Sequence, residues 1–261
     1  MLNRRRHAPP GAVQAGVTLI ELLVGLSVGI IVLSGLSAVY LLTVRGAAEN
    51  LRIVRLSQEL RAVFELMQMD LRRAGYWAAP AGADPTENPF QQRIGGILND
   101  LATGQVQGEP SQSCVTYSYD LNDDGLIGLC RDCTPGGAPF DAPPYGRGNV
   151  EMFGFRLRHG TVQMRERLSS PNELAFDCQS GHWQGITSDL VQVTALSFQI
   201  HERAINLNPE RDTADPCSVG DRCQRVRTVT LGITGQLARD ASVQQTLSSQ
   251  VAIRNDREQI E

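Results

Sequence analysis

The chain has 261 residues, of which 41% are hydrophobic and 20% charged, with a formal net charge of -4. That size buries a real core as one or two domains, so disorder is excluded as the dominant state and nucleic acid as the expected partner. Every lysine-or-arginine cation is an arginine, which removes Schiff-base and phosphate-loop chemistry. The six cysteines, an even number and none before Cys114, suit an oxidising compartment, which calls for an export signal.

The first sixteen residues carry Arg4, Arg5 and Arg6, two consecutive prolines and no acid, and read as a cytoplasmic leader (1–16). Val17 to Val44 follows as an apolar run whose only ionisable side chain in the membrane-relevant range is Glu21. About 20 apolar residues at ~1.5 Å each cross a hydrocarbon core of roughly 30 Å, so 17–44 is predicted to span a membrane. The preceding arginines set the N-terminus in the cytoplasm and the remainder outside. A secretory signal carries its small-residue cleavage site after the apolar core; here the small residue adjoining the charged leader, Gly16, precedes it, so a cut there keeps the helix on the mature chain. Glu21 has two readings. It lies within about 8 Å of the start of the run and can snorkel to the head groups; alternatively it is kept because it finds a partner in the membrane.

Gly16-Val17-Thr18-Leu19-Ile20-Glu21-Leu22-Leu23-Val24, behind a short arginine-rich leader, resembles the processing and methylation motif of type IV prepilins and type II secretion pseudopilins. The resemblance implies that Gly16 is the last leader residue, cut by prepilin peptidase, and that Val17, where phenylalanine is commonest, becomes an N-methylated terminus. It also implies that Glu21 recruits and aligns subunits. The physics agrees: cleavage creates an α-amino group, and pairing it with a neighbour's Glu21 offsets two desolvation costs, provided the groups meet.

From Arg45 the helix is predicted to continue to Ala74, about 87 Å in all, with Ile53, Leu56, Leu60, Val63, Phe64, Met67 and Leu71 forming an apolar stripe. Arg52, Arg55, Arg61 and Arg72 fall off it. Gly25, Gly29 and Gly35 are candidate close-packing points for other helices. The amphipathic part, 45–75, ends in Met69-Asp70-Leu71-Arg72-Arg73-Ala74-Gly75-Tyr76-Trp77, which resembles the helix-end signature of the PilW family of minor type IV pilins, as do Asp189 to Leu196 and Val251 to Asn255 more loosely. An aromatic-Gly-Cys often follows that tyrosine; Trp77-Ala78-Ala79 lacks the cysteine, so the family's disulfides do not carry over. Gly75 is also an ordinary helix stop.

The remainder, 76–261, is predicted to be a periplasmic β-rich head. Residues 78–112, broken by Pro80, Pro85, Pro89 and Pro110, read as loop. Strands are predicted at Ser113–Tyr119, Val150–Arg158, Thr161–Arg165, Leu190–His201, Arg225–Thr234 and Leu247–Arg254, making an antiparallel sheet. Alternation is clearest through Val191, Val193, Ala195, Leu196 with Phe198, and Ile200; His159-Gly160 reads as a hairpin turn rather than a ligand site. The elements predict an α+β fold, a long N-terminal helix on an antiparallel β-sheet head, and the resemblance implies that it is type IV pilin-like.

Six cysteines permit fifteen pairings. Cys217 with Cys223 closes a short loop, leaving Cys114, Cys130, Cys133 and Cys178 to pair among themselves; Cys130 and Cys133 have zinc or redox spacing but lack a matching second pair. Asp120, Asn122, Asp124, Gly125 and the carbonyl of Leu126 match the first half of a calcium loop, but Arg131 stands where a bidentate acid belongs, Asp132 is its neighbour, and the same residues make an ordinary turn. His182 and His201 adjoin no nucleophile signature, and no active site is read. No cofactor is required, with calcium the one candidate.

The resemblance implies a minor pilin acting in pilus assembly or priming, partnered by prepilin peptidase, other minor pilins, the major pilin and the inner membrane, and passing from that membrane into a fibre. Two alternatives stand beside it: a J-type minor pseudopilin of a type II secretion system, and a membrane-tethered periplasmic ligand-binding domain.

Overall fold

A computed structural model describes residues 16–94, 97–121, 123, 125, 127, 151–167, 176–209, 211 and 216–261. The leader up to residue 15, Cys130, Cys133, Asn122, Asp124, Leu126, Arg131 and Asp132 lie outside them. The chain separates into two compact units, one ending at Leu51 and one beginning at Arg52.

One helix, α1 (Leu19–Leu71), is long and apolar enough to cross a membrane. In the first unit its apolar side chains are exposed. Four aliphatic hydroxyls it carries there are internally satisfied: Ser27, Ser34, Ser37 and Thr43 each donate to the carbonyl four residues back, at 2.7 to 2.9 Å. These four hydroxyls need no water to satisfy them, which suits a lipid environment.

In the second unit Leu56, Leu60, Val63, Phe64, Met67 and Leu71 of α1 are buried, as the stripe predicts; Ile53 is exposed instead. The helix stops before Ala74 because its last turn tightens: Arg73 and Ala74 donate to carbonyls three residues back, and Gly75 then turns left-handed with φ +74°. A side chain there would also strike Gln91 at 2.3 Å.

The loop predicted for 78–112 is partly structured. Two 3-10 turns, Pro85–Glu87 and Pro89–Gln91, are capped by Asp84 and Asn88, whose carboxyl and amide oxygens accept from Thr86 and Phe90 N–H. Proline at the first position of a helical turn fits rather than breaks it. Strands β1 (Arg93–Ile94) and β2 (Ile97–Leu98) form a small ribbon, and β3 (Ala102–Gly104) joins a larger sheet.

That sheet is antiparallel in the order β3, β4 (Cys114–Ser118), β5 (Met152–Arg158), β6 (Thr161–Arg167), β7 (His182–Gly185). The β5–β6 turn is His159-Gly160, both at positive φ, pairing Arg158 with Thr161, which is the two-residue hairpin predicted. A second antiparallel sheet is centred on β9 (Arg222–Leu237), flanked by β8 (Val191–Asn206) on one side and by β10 (Asp240–Ala252) and β11 (Arg257–Ile260) on the other. Alternation does not run through Ala195. A bulge shifts register between Val193 and Ala195, so Ala195 is exposed while Leu196 and Phe198 face inward.

The core joins the buried face of α1 to Tyr117, Phe155 and Leu157 of one sheet and Phe198, Val229, Leu231 and Ile233 of the other. Gly235 lets Leu60 approach: a Cβ there would lie 2.8 Å from the Leu60 side chain. Asp100, almost fully buried, receives Arg227 and, at 2.6 Å, Arg257, tying β11 to the segment before β3.

Candidate processing and assembly site

Thr18 is the N-cap of α1, since its carbonyl accepts the first helical bond, from Leu22 N–H at 3.2 Å. Its hydroxyl accepts from Glu21 N–H at 3.3 Å, while Glu21 Oε2 accepts from the Thr18 amide at 3.0 Å and the Thr18 hydroxyl at 2.9 Å. This reciprocal arrangement is a capping box. Both hydrogen bonds of the Glu21 carboxylate fall on Oε2, and Oε1 has no hydrogen-bond partner among the described residues. The partner role of Thr18 is absent from the sequence reading, although the Thr-x-x-Glu spacing carries it.

Gly16 and Val17 precede the helix and are exposed. A Cβ built on Gly16 meets nothing within 4 Å, and the same holds at Gly25, Gly29 and Gly35. Among the described residues nothing sterically demands glycine at these positions.

The helix-end signature acquires a physical meaning. Asp70 accepts from the hydroxyls of two buried residues, Tyr119 at 2.8 Å and Tyr117, and the Arg73 guanidinium lies 5.8 Å from the Tyr119 ring centre. Burial first, and then the Asp70 charge, push both tyrosine hydroxyls well above their ordinary pKa. Leu71 and Ala74 are buried, and Gly75 supplies the left-handed turn. Asp70 therefore pins the C-terminal end of α1 to the end of β4.

Cys217 is bonded to Cys223 and Cys114 to Cys178. Beside the second bond Arg156, buried and stacked 4.2 Å from Trp183, donates to the Cys178 carbonyl at 2.7 Å; burial and then Arg158 lower its pKa to about 10. Of the calcium-loop residues, Asp120 is described: it is buried, and its Oδ2 accepts from Gly125 and Ala78 N–H. His182 Nδ1 meets the Glu166 carboxylate at 3.1 Å and His201 Nε2 meets the Thr230 hydroxyl at 3.1 Å, both exposed.

An apolar N-terminal helix whose amphipathic continuation packs on antiparallel sheets, opened by this capped glutamate, defines a type IV pilin-like protein. A family model described as prepilin peptidase-dependent protein B matches residues 49–253, well over half of the chain. The chain belongs to that family, and its role is pilus-related and minor pilin-like, in a class that is generally non-enzymatic. The match begins beyond Glu21, so it is independent of the cleavage motif. It supports a type IV pilin-related protein without singling out the PilW family. No curated protein and no solved structure matches.

Proposed function

We propose that the chain is a minor pilin, cut by prepilin peptidase between Gly16 and Val17, N-methylated at Val17, and inserted through 17–44 with its head on the periplasmic side. In a fibre with other minor pilins and the major pilin, Glu21 receives the freed amine of a neighbouring subunit. The observation that carries this reading is the Glu21 carboxylate: one oxygen is held by Thr18 and the other has no partner among the described residues, at the start of a helix whose apolar surface is exposed. Half-satisfied in lipid, it is costly alone and favourable once a cation arrives.

The open glycines Gly25, Gly29 and Gly35 fit close approach by other helices in the same assembly. Glu21→Ala tests the proposal. The variant is processed normally but depleted from the sheared fibre fraction relative to the membrane; incorporation equal to wild type overturns the role of the carboxylate.

A further inference from the structure

Arg72 and Arg73 follow the last residue of α1, and Arg254 lies between β10 and β11. Backbone contacts hold the two segments together. Arg254 N–H donates to the Arg72 carbonyl at 3.3 Å, and the Asn255 side-chain amide donates to the carbonyls of Arg73 and Ala74 at 3.1 and 3.2 Å. The three arginines line one recess of about 320 Å³ together with Met69, Tyr76 and Asn255. No carboxylate among the described residues lines it.

Cations at a helix C-terminus ordinarily answer its open carbonyls. Here those carbonyls are already taken. Arg254 N–H and the Asn255 amide cover those of Arg72, Arg73 and Ala74, and the side-chain amides of Asn88 and Gln91 donate to that of Gly75 at 2.9 and 3.2 Å. Arg73 is occupied further by Tyr119 and by the charge of Asp70. The guanidinium groups of Arg72 and Arg254 have neither a hydrogen bond nor an ion pair among the described residues, whereas Arg222, Arg225, Arg227 and Arg257 are each paired with an acid. In a chain of net charge -4, two uncompensated guanidinium groups thus share one recess.

We propose that this recess receives an acidic segment of a neighbouring fibre subunit, its carboxylates bound by Arg72 and Arg254, an inference that rests on the minor pilin reading. Guanidinium forks match carboxylates bidentately. The apolar part of the lining favours a protein partner over a lipid head group or free phosphate: Met69 and Tyr76 are exposed, and methionine, tyrosine and arginine are the side chains in which protein interfaces are enriched. The Tyr76 hydroxyl donates to Asp123 at 3.1 Å, which fixes the ring beside the arginines.

For the test, the full chain carries the photo-cross-linker p-benzoylphenylalanine in place of Met69. Cells assembling fibres are irradiated, and cross-linked peptides from the sheared fibre fraction are sequenced by mass spectrometry. The expected product joins this position to a peptide of another subunit that contains Asp or Glu. Arg72→Glu with Arg254→Glu lowers its yield at least about tenfold, and Arg72→Lys with Arg254→Lys keeps most of it. Changing the acid of the cross-linked peptide to arginine restores the product in the Glu background. If the two Glu changes lower the thermal midpoint of the purified protein, Arg72→Gln with Arg254→Gln takes their place and is judged by the same loss.

A product undiminished by loss of both arginines overturns the proposal, as does a product on lipid, a product on a peptide without an acid, or no product at all from protein present in the fibre fraction. Each of these results leaves the pilin reading standing, because the protein has reached the fibre. Absence of the unsubstituted protein from that fraction overturns both.

Discussion

The Thr18 amide nitrogen lies 3.0 Å from Glu21 Oε2, and the Thr18 hydroxyl lies 2.9 Å from the same oxygen. A threonine therefore carries part of the cost of keeping a carboxylate at the head of an apolar helix. Thr18→Val removes the hydroxyl from the capping box and costs about 1 kcal/mol at the helix N-terminus. The check is amide hydrogen exchange over Leu19 to Leu22 in detergent, which accelerates in the variant; unchanged exchange shows that the box adds nothing.

Gly16 has open space where a side chain would stand. Gly16→Leu is therefore predicted to fold and insert like wild type while accumulating as uncut precursor, visible as a heavier band in membrane fractions. Cutting at the wild-type rate removes the assignment of that peptide bond to the peptidase.

Gly235 and Leu60 mark where the helix meets the second sheet. Gly235→Val overpacks the contact and costs on the order of 1–3 kcal/mol, while Leu60→Ala opens a cavity costing about 2–5 kcal/mol. Because the added and removed atoms share one space, the double variant is less destabilised than the sum of the two. Denaturant unfolding of all three variants measures this, and strict additivity places the residues apart.

Tyr117 and Tyr119 have hydroxyls held above the ordinary value of 10.0 by burial and then by Asp70. For a group whose folded pKa is raised, the stability is complete below the unfolded value and is lost as pH climbs toward the folded one. The head is thus predicted to lose stability from about pH 10 upward. Tyr119→Phe, which keeps the ring and deletes the ionisation, makes the decline of unfolding free energy with pH shallower in that range; an identical slope assigns the alkaline loss to other groups.

What the sequence shows is what local spacing encodes. The buried face of α1 from Leu56 to Leu71, the His159-Gly160 turn and the short Cys217–Cys223 loop each depend on residues a few positions apart. Thr18 and Glu21 belong to the same class, their capping box being visible in a three-residue interval. The rest depends on pairing over distance. Asp70 finds its tyrosines 47 and 49 residues away, and Cys114 its partner 64 residues away. Glu151 reaches Leu121 from 30 residues away, through the register of two strands that no spacing announces. Strand β8 runs on to Asn206 because it is paired with β9 along its length, although its pattern fades after Ile200. The short β1, β2 and β3 lie among prolines and glycines that read as loop.

The most direct measurement is the intact mass of the protein recovered from the membrane and from sheared fibres. The account predicts a mature chain beginning at Val17 and carrying one added methyl group. A membrane form that still begins at Met1 with its arginines would leave no amine for Glu21 to meet, and the assembly mechanism would fall.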